Sequence, residues 1–199
     1  MKKLGTKGFT LIVVFLVIAG LGYYIHLNNK SSSRRDVSKK TEKDILLDYD
    51  FENDYPKTVR ETVKLHCRYL KSAYSGEFTE DELFKVNQQM RNLFDDELLE
   101  FNTSEMQLQN LKDEIKLYED SKWKFVSYSL AEASQVENNT EDGKEYAKIK
   151  VTIILNMESS RVSTDEEYIL RKDGEGYWKI MGWQVVKNKE TENEGEENR

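Results

Sequence analysis

The sequence predicts an α+β protein: an N-terminal transmembrane helix, then three helices packed on a curved four-stranded antiparallel sheet. Three observations carry this. Residues 8–27 are apolar and uncharged, the hydrophobic period from Pro56 to Ser121 is helical, and from Trp123 it changes to two. Once the apolar run and its basic flank are set aside, about 155 residues remain, enough for one domain with a core of its own. One proline and ten glycines in 199 residues favour long regular elements over a loop-rich module.

Residues 1–7 form a short basic N-tail carrying Lys2, Lys3 and Lys7. The run from Gly8 to Leu27 that follows spans roughly 30 Å as a helix, the hydrocarbon thickness of a bilayer. It ends in Tyr23 and Tyr24, aromatics suited to the interface, and is followed by Lys30, so a retained helix in the lipid bilayer is expected. A cleaved signal peptide is an alternative, with Gly20 and Gly22 as small residues near a cut. A third reading comes from Lys7-Gly8-Phe9-Thr10-Leu11-Ile12, which resembles the processing site of type IV prepilins and would imply a pilin-like subunit; Val13 stands where that family has glutamate. A basic tail before a first hydrophobic segment is the layout of a signal anchor, which places the soluble domain on the extracytoplasmic side of the cell membrane. The basic residues Lys30, Arg34, Arg35, Lys39, Lys40 and Lys43 after the span argue the opposite orientation.

Residues 28–54 are expected to be a linker. They hold the Ser31–Ser33 run, mixed charges, and then Asp48-Tyr-Asp50-Phe-Glu52-Asn-Asp54. These alternating carboxylates lack the glycine and distal glutamate of a calcium loop, so they are expected to be solvated. The domain proper is expected over residues 55–186. Pro56 suits a helix start, and Val59, Val63, Cys67, Leu70 and Tyr74 form an apolar stripe that ends at Ser75-Gly76. Thr79 and Glu82 make a capping box stapled by Phe78 and Leu83, and one face is expected to continue through Val86, Met90, Leu93, Phe94 and Leu98 to Phe101. Ser104 and Gln107 suggest a second box, opening a third helix with Leu108, Leu111, Ile115 and Tyr118 inward as far as Asp120-Ser121.

In the strand region, Ala147, Ile149, Val151, Ile153, Leu155 and Met157 alternate with polar residues, the pattern of a sheet with one buried face. Asn138–Gly143, Ser159-Ser160 and Asp173–Gly176 read as turns between four strands. The first strand changes parity between Phe125 and Val126, and the last changes near Gly182, so each is expected to carry a bulge and the sheet to curve. Residues 187–199 hold five glutamates and no apolar residue, and are expected to be a disordered acidic tail.

The closing run Tyr168-Ile-Leu-Arg-Lys-Asp-Gly174, then Gly176-Tyr-Trp-Lys-Ile-Met-Gly-Trp183, resembles the final hairpin of many bacterial domains of the nuclear transport factor 2-like, cystatin-like cone fold. With its anchor, the chain resembles uncharacterised single-pass bacterial membrane proteins carrying such a domain. It lacks an obvious short strand between the second and third helices that the fold usually has. The resemblance implies a cone-like domain with a pocket between its helices and concave sheet face, and implies no activity.

The residues themselves exclude several classes. A formal net charge of -7, from 30 basic and 37 acidic residues, argues against nucleic acid as a partner. The lone Cys67 and the two histidines, His26 and His66, have no metal-ligand spacing, and no cofactor motif is present. His66 and Cys67, adjacent on a helix, diverge by about 100° and make no nucleophile dyad. Asp95-Asp96-Glu97 could supply a general base, but consecutive acids point apart and are ordinarily solvated. No catalytic, cofactor or metal residue is therefore named; the expected pocket-lining residues are His66, Trp123, Tyr128, Trp178 and Trp183. The expected role is that of a non-catalytic anchored domain that binds an envelope protein or a ligand. A small hydrolase or isomerase using the cone pocket is the alternative from another class.

Overall fold

The computed structural model describes residues 40–158 and 160–186. The chain divides into two compact units, Met1–Thr41 and Glu42–Arg199, and the fold is that of the second. Among the described residues no helix is long and apolar enough to cross a membrane. The expected transmembrane helix over residues 8–27 and acidic tail over residues 187–199 lie outside them.

The helices are α1 (Glu42–Leu47), α2 (Val59–Ala73), α3 (Glu80–Arg91), α4 (Asp96–Phe101) and α5 (Ser104–Asp120). The strands are β1 (Trp123–Leu130), β2 (Glu137–Glu141), β3 (Lys144–Met157), β4 (Ser160–Lys172) and β5 (Trp178–Val185), with a 3-10 turn at Ala133–Gln135. All pairings are antiparallel, in the order β1-β3-β4-β5. One half of β3 pairs with β1 over Val151–Met157, and the other pairs with β2 over Lys144–Lys148. The α+β class is thus as expected, but the sheet has five strands. Asn138–Glu141, expected to be part of a turn, belongs to β2; every residue of β2 is exposed, so the period-two signal that marks a half-buried strand is missing.

Both expected bulges are present. Register shifts between Phe125 and Ser127 in β1, and Met181 is left without a partner between the pairs Ile169–Gly182 and Leu170–Ile180. On the inner face, Ala147, Ile149, Val151 and Ile153 of β3 and Tyr168 and Leu170 of β4 are buried against Val63, Cys67, Leu70, Val86 and Met90 from the helices.

Four boundaries differ from the sequence expectation. The expected linker contains α1, whose Leu46 is fully buried and whose carbonyl accepts a 3.0 Å hydrogen bond from Tyr69; six residues are too few for a helical period to register. Beyond it, the Asp50 carboxylate accepts from the backbone N–H groups of Glu52 and Asn53, while Tyr49 and Phe51 pack on the core. The carboxylates of Asp48, Asp50, Glu52 and Asp54 are exposed, as expected, while the aromatics between them anchor the turn to the core. Helix α2 starts after Thr58, which forms a reciprocal capping box with Glu61, so Pro56 lies outside the helix. The cap of α5 is Thr103, not Ser104, and the Gln107 side chain accepts from Arg91 instead.

The largest difference is at α3. Its Thr79–Glu82 box is as expected, but the helix stops at Arg91. Ile180 donates to the Leu93 carbonyl at 2.8 Å and Asp95 N–H donates to the Ile180 carbonyl at 2.9 Å, an isolated parallel bridge centred on Phe94. This supplies the short extended element that the sequence did not reveal. Asp95 then caps α4, and Phe101, expected on the apolar face, is 80% exposed.

Candidate functional site

Helix α2 lies across the concave face of the sheet, and its two halves meet different surroundings. Its apolar stripe turns His66 and Cys67 inward, and both are buried. His66 Nδ1 is 3.2 Å from the Tyr168 hydroxyl, and its ring lies 4.8 Å from Trp183 and 5.5 Å from Phe94. Trp183 stacks on Tyr168 at 5.6 Å, its cross-strand partner in β4 and β5. Burial without an acidic partner pushes the His66 pKa down to about 3, so the ring is neutral at ordinary pH. Burial likewise pushes the Cys67 thiol up to about 12, which removes the thiolate needed for nucleophilic chemistry. Glu166, on the same sheet face as Tyr168, has its pKa raised by burial, and its Oε2 is enclosed without a hydrogen-bond partner.

The first turns of α2 overhang the end of the sheet where β1 stops and β5 begins. Between them is a cleft of about 520 Å³ lined by Lys57, Thr58, Val59, Arg60, Glu61, Lys64, Leu130, Ala133, Val136, Asn138 and Trp178. A second cleft of about 460 Å³, bordered by Tyr49, Asp54, Tyr55 and Arg68, shares Lys57, Glu61 and Lys64 with it. Glu61 is spent locally, its carboxylate accepting from the backbone N–H groups of Lys57 and Thr58. Arg68 is neutralised by Glu42, donating from Nε at 2.7 Å and Nη2 at 3.1 Å. Lys57, Arg60 and Lys64 make no ion pair among the described residues, and Arg60 Nε is buried with no hydrogen-bond partner. The floor is aromatic and apolar. Trp178 pairs across strands with Lys172, whose ammonium lies 5.5 Å over its ring. What the arrangement offers is three cations without an ion pair among the described residues, with the backbone-bound Glu61 carboxylate between them, beside an apolar floor that includes Trp178.

The expected pocket-lining residues are divided among several environments. Trp178 lines the cleft at the mouth. Tyr128 lines a different one of about 340 Å³ with Glu42, Arg68, Lys71 and Ser75, its hydroxyl 3.5 Å from the Lys64 carbonyl. His66 is a core residue. Trp183 covers the inner aromatic cluster and is 40% exposed. Trp123 packs edge-on against Tyr118 at 5.8 Å.

The acidic run of Asp95, Asp96 and Glu97 is not simply solvated. Arg171 Nε donates to Asp95 Oδ2 at 3.0 Å, its Nη2 reaches Asp95 Oδ1, and its Nη1 donates to Glu97 at 2.6 Å. The Asp95 side chain is 5% exposed and ties α4 to β4. No group of acids, histidines or cysteines that could hold a metal occurs among the described residues.

The basic residues of the cleft were missed by sequence reasoning, although a signal existed. Lys57, Arg60, Lys64, Arg68 and Lys71 recur every three or four residues opposite the apolar stripe. They form a basic line in an acidic chain.

A family model described as a domain of unknown function, DUF6715, matches residues 1–183. No curated protein matches the chain. Among solved structures, the helical cell shape determining protein Pgp2 from Campylobacter jejuni is similar at 13% identity and a TM-score of 0.37, over 64% of this chain and 42% of that one. The chain therefore spans under half the length of that protein. A structure from Catenulispora acidiphila is similar at 9% identity and a TM-score of 0.36, over 64% of this chain and 90% of that one. At these scores the likenesses assign nothing to this chain.

Proposed function

The chain belongs to the DUF6715 family, whose description carries no activity, and we propose from its own geometry that it is a non-catalytic, membrane-tethered binding domain. In this reading one helix over residues 8–27 holds a cone-like extracytoplasmic domain, and the mouth of the cone binds an envelope protein or ligand. The observation that carries it is the contrast at α2: an open cleft holding Lys57, Arg60 and Lys64, unpaired among the described residues, beside an interior filled by His66, Phe94 and Tyr168. Binding needs exposed groups with unsatisfied interactions, which the mouth has. Catalysis in the cone would need a titratable group accessible to substrate; His66 and Cys67 are buried and held in their uncharged forms. The family match runs through the apolar run and the domain together, which favours the two acting as one unit.

The test uses single cysteines in intact cells. Cys67 is buried and does not compete for reagent. Val136→Cys, in the cleft, should react with a membrane-impermeant bifunctional maleimide and give a cross-linked adduct of higher mass. Lys124→Cys, exposed on β1, should be labelled without cross-linking. Labelling of both only after lysis would refute the extracytoplasmic orientation, and equal cross-linking from both would refute the cleft as the binding surface.

A further inference from the structure

We infer that the cleft at the mouth takes an acidic peptide segment in extended conformation, with carboxylates on alternate residues and apolar side chains between them. The inference rests on the reading of this cleft as a binding surface and names the chemistry it selects. Its lining has two halves. Along the first turns of α2 and just before them stand Lys57, Arg60 and Lys64, unpaired among the described residues, while the Glu61 carboxylate between them is held by the Lys57 and Thr58 backbone N–H groups; Arg60 brings a buried Nε without a partner. Opposite them are Leu130, Ala133, Val136 and Trp178. A ligand that satisfies both must present anionic oxygens on one side and apolar surface on the other. An extended peptide does this by geometry, since successive side chains point to opposite sides.

The spacing also fits. Arg60 and Lys64 are one helical turn apart, about 6 Å along the axis. Alternate residues of an extended chain are about 6.8 Å apart, so neighbouring carboxylates on one side can meet both cations. The adjoining cleft shares Lys57, Glu61 and Lys64 but adds only Asp54 and the Glu42-paired Arg68 as charged groups, so the anionic side of the ligand is met at Lys57, Arg60 and Lys64. Arginine and lysine together give fork-like and point-charge contacts to carboxylate. The whole chain carries a formal charge of -7, so this basic line is a local reversal of sign. Such a local reversal favours the encounter of an acidic segment with this cleft. A membrane surface is anionic too, but it is broad and flat, whereas these cations face a concave cleft.

Fluorescence anisotropy on the full chain in zwitterionic lipid nanodiscs tests this. The probe is a labelled heptapeptide with glutamate at alternate positions and leucine between; the control has glutamine for glutamate. The glutamate peptide should bind, and the glutamine peptide should bind at least about tenfold more weakly, because hydrogen bonds to charged groups are the stronger kind. Lys64→Glu, a substitution at an exposed position, should weaken the glutamate peptide by a similar factor, while Lys124→Glu on β1 should leave it unchanged. Equal binding of the two peptides, or equal effects of the two substitutions, would overturn the inference. So would loss of peptide binding on changing the disc lipid to an anionic one, which would assign the cleft to the membrane surface. If Val136→Cys cross-links a partner in cells while the acidic peptide fails here, the cleft is a binding surface for another chemistry; failure of both removes the binding role itself.

Discussion

The two halves of α2 sit a few residues apart and obey opposite rules. The His66 ring, the Cys67 thiol and the Tyr168 hydroxyl are enclosed and driven toward their neutral forms, with aromatic rings from β4, β5 and the Phe94 bridge packed around His66. Around the cleft, Lys57 and Lys64 are open to solvent, Arg60 is half-buried, and none of the three makes an ion pair among the described residues. Among the described residues His66 and Cys67 are committed to packing, whereas Lys57, Arg60 and Lys64 stand where the sheet ends, the surface proposed for recognition. Substitutions in the inner region should change stability, and substitutions at the mouth should change binding.

The largest expected effect is at Tyr168, which is fully buried, stacks on Trp183 and holds His66 Nδ1. Tyr168→Ala empties the centre of the inner cluster and should lower the unfolding free energy by about 3–5 kcal/mol in chemical denaturation. Trp178→Ala, on the half-buried floor of the cleft, should lose less than half as much. Equal losses would mean that the mouth is as much a part of the core as the interior, and the contrast would collapse.

The second effect is of pH. His66 is pushed from the ordinary histidine value of 6.5 to about 3 by burial, so the unfolded chain takes up a proton that the folded chain refuses. Stability from this group is complete above pH 6.5 and falls by about 1.4 kcal/mol per pH unit on acidification, until the folded value is reached. Glu166 has the opposite sign. Its raised pKa makes the folded state hold a proton more tightly, a contribution present at low pH and lost as pH rises through its folded value. Denaturation of the wild-type protein should therefore show a fall between pH 6.5 and 5, His66→Gln should flatten it, and Glu166→Gln should steepen it. A wild-type profile that His66→Gln leaves unchanged would show that the ring is not excluded from solvent.

Much of this contrast is legible in the amino-acid sequence, and what escapes it does so for physical reasons. The inward stripe through Val63 and Cys67 follows from helical period, the alternation in β3 from a one-sided sheet, and both bulges from changes of parity. Helix α1 escapes because six residues give no period, and β2 because both its faces are exposed. The end of α3 is hidden because Leu93, Phe94 and Leu98 keep helical spacing; only the bridge to Ile180, 86 positions after Phe94, pulls the chain out of the helix. The site is the least legible part. Aromatics attract attention as pocket residues, yet Trp123, Trp183 and His66 go into packing, whereas the line from Lys57 to Lys71 looks like an ordinary solvated face.

The smallest expected effect sharpens the comparison most, because its sign is unusual. Arg60 is the second residue of α2, where the helix dipole is positive and a cation is disfavoured. It also has Lys57 and Lys64 as like-charged neighbours along the cleft, with Nε enclosed and unpartnered. Removing the charge while keeping most of the stem, as in Arg60→Gln, relieves all three penalties at the loss of some packing by the guanidinium. Stability should rise by about 0.5 kcal/mol, within the range of helix-terminus charge effects, with a correspondingly higher denaturation midpoint at low ionic strength and a smaller gain at high salt. Binding of the acidic peptide should weaken in the same variant. A charge that opposes folding and supports binding marks the mouth as the region arranged for a partner; if Arg60→Gln instead destabilised the fold and left binding intact, Arg60 would belong with His66 and Tyr168 as a packing residue.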